Sequence, residues 1–168
     1  MNIRIVVSYV PRYQKGHGVQ FVPPVTGIHL AAITPKEHRV EVVHEQVRPV
    51  PFLPAPDLVA LSFFSGFAGQ AYRTADRFRA MGVPVVAGGP HASYWINEAL
   101  EHVDAVVVGE AEEIWPSVIE DFARGKPQKV YRGKESPMKN LPMARYDLLE
   151  DTFVVPRVLQ ATRGCPFT

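Results

Sequence analysis

The sequence is short of most features that would assign it quickly, and each absence excludes something. It holds one cysteine in 168 residues, Cys165, which rules out an intramolecular disulfide framework and fits a reducing, cytoplasmic setting. Eighteen basic residues stand against seventeen acidic ones, for a formal charge of +1, with no basic run. The clustered Lys and Arg of a nucleic-acid or anionic-membrane surface are therefore missing. No apolar run approaches a membrane span, and the opening "MNIRIVVSYV" has the pattern of a first strand rather than a cleavable signal. Phosphate loops are missing too. Gly16-His17-Gly18 is followed by Phe21 where a dinucleotide fingerprint needs its third glycine, and no Walker pattern occurs. "VVSYV" and "LSFFSG" lack the acidic residues of a receiver-type phosphorylation domain, and nothing matches G-x-S-x-G. The six histidines, at 17, 29, 38, 44, 91 and 102, show no metal-ligand spacing. His29 and His44 read as structural or solvated residues.

What is present is an ordinary globular composition, 46% hydrophobic and 21% charged, of a length that fits one domain plus a tail. Four apolar runs, at 3–9, 58–64, 83–89 and 104–110, show little alternation, as strands buried on both faces do. A fifth run, "HRVEVVHE" at 38–45, alternates and suits a half-exposed edge strand. Helical patterns lie between them. Ala71, Ala75, Phe78 and Met81 form one stripe that ends at Gly82. A wider stripe runs from Ala111 to Phe122, its regular part starting near Glu113 because Pro116 is tolerated only in a first turn. A shorter helix fits 24–34, between Pro24 and Pro35. Strand and helix in alternation predict an α/β fold, a doubly wound five-stranded parallel sheet of flavodoxin-like order 2-1-3-4-5. The predicted domain is 1–124. Residues 125–156 read as a proline-punctuated linker with one or two short strands, and 157–168 as the start of a new strand.

In such a sheet, ligands bind outside the carboxyl ends of the strands, near the reversal of strand order. That rule selects the loops carrying Ser8 and Tyr9, Ser65 and Gly66, Gly88, Gly89 and His91, and Gly109 and Glu110. Several of these are small residues, which let a bulky ligand reach the backbone, although glycine also serves tight turns. His91 falls in a predicted ligand loop, where turn capping is an equal reading.

"VAGGPHAS", "DAVVVGEAEEIWP", "LPMARYDLL" and "ATRGCPFT" follow one another in this order. That succession resembles the N-terminal half of cobalamin-dependent radical S-adenosylmethionine enzymes, which include methyltransferases and Mg-protoporphyrin monomethyl ester cyclases. The resemblance implies a cobalamin (B12)-binding domain, with the corrin on the carboxyl-edge loops and its nucleotide tail between sheet and helices. It implies cofactor contacts from Ser65, Gly66, Gly88, Gly89, Gly109 and Glu110, with Ser8, Tyr9 and His91 as added polar contacts. It further implies that Cys165 is the first ligand of a [4Fe-4S] cluster in C-x-x-x-C-x-x-C, with the other two cysteines beyond Thr168. On that reading the chain is a shortened piece, inactive alone. The iron–sulfur cluster, S-adenosylmethionine and the rest of the radical barrel belong to the longer protein. The D-x-H-x-x-G motif that supplies a lower cobalt ligand in other cobalamin domains is absent. Two other readings stay open. In one, the domain is a cofactor-free docking module whose loops collapse around Phe63, Phe64, Tyr94 or Trp95. In the other it is a flavin carrier, for which no phosphate loop follows strand one.

Overall fold

The structure is a computed structural model and describes residues 1–10, 24–149 and 158–162. The apolar runs fold as strands β1 (Asn2–Val7), β2 (Arg39–His44), β3 (Leu58–Ser62), β4 (Val85–Gly88) and β5 (Ala105–Val108). Helices α1 (Val25–Ala32), α2 (Ala68–Ala80) and α5 (Trp115–Ala123) answer the three predicted stripes. Pro116 sits in the first turn of α5, where its missing N–H costs nothing.

All strands are parallel, and the sheet is doubly wound. On one face Ile5, Ala60, Val86 and Val107 meet Ile28 of α1 and Trp115, Val118 and Ile119 of α5. On the other, Val6, Leu61, Val85 and Val106 meet Ala71, Ala75 and Phe78 of α2. Period-two alternation along each strand thus feeds two separate apolar layers.

Two features depart from the expectation. Among the described residues the sheet has six strands in the order β2-β1-β3-β4-β5-β6, not five, because β6 (Val130–Arg132) pairs with the outer edge of β5. Its three residues sit in a polar, proline-rich segment and carry little pattern of their own. What holds them is the neighbouring edge: Val106 N–H donates to Lys129 O, and Gly133 N–H donates to Val108 O, both at 2.9 Å. The buried Tyr131 adds a hydroxyl bond to Asp121 of α5 at 3.0 Å. Two further helices, α3 (Pro90–Tyr94) and α4 (Ile96–His102), fill the connection between β4 and β5. Beyond β6 the chain returns across α1, where Arg145 N–H donates to Ile28 O and Tyr146, Leu148 and Leu149 pack on the apolar layer. Cys165, the Gly16-His17-Gly18 loop and most of the expected barrel strand lie outside the described residues.

Candidate functional site

The carboxyl edge of the sheet opens into a cavity of about 570 Å³ between α1 and α5, within the roughly 300–1,000 Å³ usual for small-molecule sites. Its floor comes from alternate residues of three neighbouring strands, Ala60 and Ser62, Val86 and Gly88, and Val107. These are small or β-branched, so the sheet lies low there. The α1 wall is a helical stripe, Thr26, His29, Leu30 and Ile33, and the opposite wall is Trp115 with residues 109–112. Val158, Leu159 and Gln160 reach back to its rim, and Tyr146 hydroxyl donates to Val158 O.

The expected site residues divide into three groups. Gly88, Gly89, Gly109 and Glu110 line this cavity. Ser8 and Tyr9 line a neighbouring pocket of about 140 Å³, which shares Pro24, Thr26, Ser62 and Phe64 with the larger one. Ser65, Gly66 and His91 line neither, and stand on the α2 side of the β3 and β4 ends.

The glycines separate by their surroundings. Gly89 and Gly109 have φ of 91° and 81°, so their turns require glycine whatever binds nearby. Gly66 and Gly88 show the other behaviour. A Cβ on Gly66 would meet nothing within 4 Å, and one on Gly88 would touch only Val107, at 3.6 Å or more. Those two positions present open backbone.

The polar candidates are held by the protein itself. His91 is 7% exposed, with Nδ1 3.0 Å from Ser65 Oγ and Nε2 3.2 Å from Tyr72 hydroxyl and 3.3 Å from Glu98. It therefore anchors α3 to the start of α2 and fixes the exposed Ser65 hydroxyl at the edge. Glu110 accepts a 2.6 Å bond from Ser136 N–H, which pins the segment after β6 to the cavity wall. Tyr9 packs tilted against Phe67, ring centroids 4.6 Å apart, and its N–H donates to Glu45. Burial raises the Glu45 carboxyl above its ordinary range, against the bonds from Gln70 and Tyr9 that favour the ionised form.

His29, expected as a structural or solvated residue, and Glu112, in the loop after β5 but not expected as a site residue, both line the cavity. His29 Nε2 lies 3.1 Å from Glu112 Oε1, and the two side chains are only 14% and 9% exposed. His29 lies three residues after Thr26 and four before Ile33, beside Leu30 on the same stripe, which is the signal that could have placed it on an inward face.

His44 is structural rather than solvated. It is fully buried at the end of β2, and burial, helped by the Arg48 charge, depresses its pKa from 6.5 to about 4 despite a hydrogen bond to the Pro24 backbone. A depressed pKa gives stability that is present above pH 6.5 and lost as pH falls through 4. The loss attributable to this side chain is about 3 kcal/mol by linkage. Glu45, with its raised pKa, works in the opposite sense, its contribution fading as pH rises from 4.5. Urea unfolding at pH 7 and pH 4 should therefore show a smaller acid loss in His44→Gln than in the unaltered chain. Equal losses would disprove the assignment.

No protein-family model matches the chain. Individual proteins do. The chain is 32% identical over 149 residues to the bacteriochlorophyllide d C-8(2)-methyltransferase of Chlorobaculum tepidum, covering 82% of this chain and 33% of that protein. It is 32% identical over 116 residues to the C-12(1)-methyltransferase of the same organism, covering 66% and 25%. Over 187 residues it is 27% identical to the hopanoid C-2 methylase of Rhodopseudomonas palustris, covering 98% and 34%. The chain is similar to one region of each of these methyltransferases. It spans a quarter to a third of the length of these curated relatives. The fold recurs in the radical S-adenosylmethionine methyltransferase TsrM of Kitasatospora setae, with a TM-score of 0.60 at 18% identity over 76% of this chain and 26% of that one. No helix among the described residues is long and apolar enough to cross a membrane.

Proposed function

We propose that the chain is the cobalamin-binding unit of a radical S-adenosylmethionine methyltransferase. The observation that carries this reading is the cavity between α1 and α5, which opens on the predicted carboxyl edge and has the size of a ligand site. A docking module would have closed that edge with its aromatics. Phe64, Tyr94 and Trp95 instead stay 62%, 85% and 58% exposed, and only Phe63 turns into the core.

The residues present fit a corrinoid. Gly66 and Gly88 offer open backbone against which a flat macrocycle can rest. Ser65, held by His91, and the rim residues Ser8, Tyr9, Gly89, Gly109 and Glu110 stand around the same edge to meet its amide groups. The trough over Ala60, Ser62 and Val107 receives the nucleotide tail. Bound cobalamin would supply a cobalt centre able to carry a methyl group. The chain's own work is to bind, to orient the macrocycle and to exclude water from the tail. In the longer protein, Cys165 would be the first of three thiolates on a [4Fe-4S] cluster that works with S-adenosylmethionine. The substrate-bearing steps would belong to that part, together with the choice between methyl transfer and ring closure; the methyltransferase relatives favour methyl transfer.

Titration of the purified chain with hydroxocobalamin, followed by calorimetry or by the visible spectrum, tests the reading. Saturable one-to-one binding is expected. Gly88→Phe, which fills the trough from its floor, should reduce it at least tenfold. Absence of saturable binding to the unaltered chain would overturn the assignment.

A further inference from the structure

The smaller pocket, of about 140 Å³, lies over the ends of β1 and β3, the neighbours at which strand order reverses. Doubly wound sheets favour that crevice for ligands. Two residues lining it each carry a buried polar atom without a hydrogen-bond partner among the described residues. They are Ser8 Oγ, just past β1, and Gln46 Oε1, just past β2. Buried polar atoms are almost always paired, and one left over costs stability, yet here two converge on one opening.

The rest of the lining narrows what can satisfy them. Phe63, Phe64 and Phe67 supply apolar walls. No Lys, Arg, Asp or Glu is among the described residues that line the pocket, and His44, its pKa depressed to about 4, is neutral at pH 7. An ion of either sign would therefore be buried there without a counter-charge. An anion would also face Gln46 Oε1, which can only accept. The group that fits is neutral and carries an acceptor for the Ser8 hydroxyl and a donor for Gln46. A primary carboxamide has both. The volume falls below the roughly 300 Å³ at which whole-ligand sites begin, so it suits a side arm. Four lining residues shared with the main cavity, Pro24, Thr26, Ser62 and Phe64, let such an arm enter from a ligand seated there.

Resting on the cobalamin reading above, we propose that this pocket takes one primary carboxamide arm of the corrinoid. The Ser8 hydroxyl donates to the amide oxygen, and the amide N–H donates to Gln46 Oε1. The chain thereby selects the amide over a carboxylate at that one arm, and the seated arm sets how the macrocycle is turned over the sheet edge.

The experiment compares, by calorimetry, hydroxocobalamin with its monocarboxylic acids, in each of which a different carboxamide is hydrolysed. One of these acids should bind the unaltered chain about tenfold more weakly than hydroxocobalamin. Gln46→Met, similar in length but without the acceptor, should weaken hydroxocobalamin about tenfold and bring that acid to within about threefold of it. Ser8→Ala should weaken both by similar factors, because a carboxylate accepts from the hydroxyl as an amide does. Each variant removes a buried polar atom that lacks a partner, so the empty variants should melt no lower than the unaltered chain. A fall in their melting temperatures would make the two residues structural and overturn the inference. So would a preference against the acids that Gln46→Met leaves unchanged, or no preference in the unaltered chain. Unchanged affinity for hydroxocobalamin in both variants would make the pocket a water site, overturning the inference while leaving the cobalamin reading intact. An unaltered chain that does not bind hydroxocobalamin would remove both together.

Discussion

Trp115→Ala should lower the unfolding free energy by about 3–5 kcal/mol, the range for truncating a large buried aromatic. The indole is 1% exposed and opens α5. Its Nε1–H donates to Thr34 Oγ1 at 2.8 Å, and Thr34 in turn donates to Leu30 O at 2.8 Å, so one side chain ties α5 to the last turn of α1. Truncation removes that tie and enlarges a cavity that already lies alongside. Trp115→Phe keeps most of the apolar volume but leaves Thr34 without its donor, which should cost about 1–2 kcal/mol. Urea unfolding followed by circular dichroism measures both. A loss below 1 kcal/mol for the alanine variant would show that the α1–α5 contact does not depend on this residue.

The second large effect is expected at Gly133, just beyond β6. A Cβ there would run into the backbone carbonyl of Glu110, and Gly133 O would itself lie 2.9 Å from a Cβ on Gly109. Backbone meets backbone on both sides, so no side chain can rotate away. Gly133→Ala must pry β6 from the loop after β5, against the Gly133–Val108 bond and the Ser136–Glu110 bond. A cost of about 3 kcal/mol is expected, at the upper end of overpacking. Gly66→Ala is the matched control, since its Cβ would meet open space and should leave the melting temperature within a degree or two. Similar melting temperatures for the two variants would refute the account. The Gly133 variant should also weaken ligand binding, because Glu110 is displaced with its loop.

These two positions show where the sequence was legible. Trp115 could be placed on an inward face by the stripe it shares with Val118, Ile119 and Phe122; β1, β3, β4 and β5 could be placed by little-alternating apolar runs that suit a doubly covered sheet, and β2 by its alternating edge pattern. Gly133 could not, because its constraint comes from a residue twenty-three positions away and β6 exists only through the edge it joins. α3 and α4 were illegible for a related reason. Between them they bury only His91, Ala92 and Ala99, too few and too small to form an apolar stripe. The carboxyl-edge rule selected loops that line the cavity at the ends of β4 and β5, since strand direction alone decides where those loops fall. It reached the loop of Glu112 but not that residue's meeting with His29, which depends on how far α1 and the α5 loop stand apart.

That separation bears on what holds the fold together. Two helices that lie apart over small residues forgo part of the packing that closer neighbours would share. A guest that fits the trough becomes, in effect, an internal strut of the protein. Occupancy and folding are then one linked equilibrium, and a ligand at a hundredfold excess over its dissociation constant adds about 2.7 kcal/mol to stability. The melting temperature of this chain becomes a gauge of what is bound, with α1 and the start of α5 the segments whose amide exchange should slow most when the strut is in place.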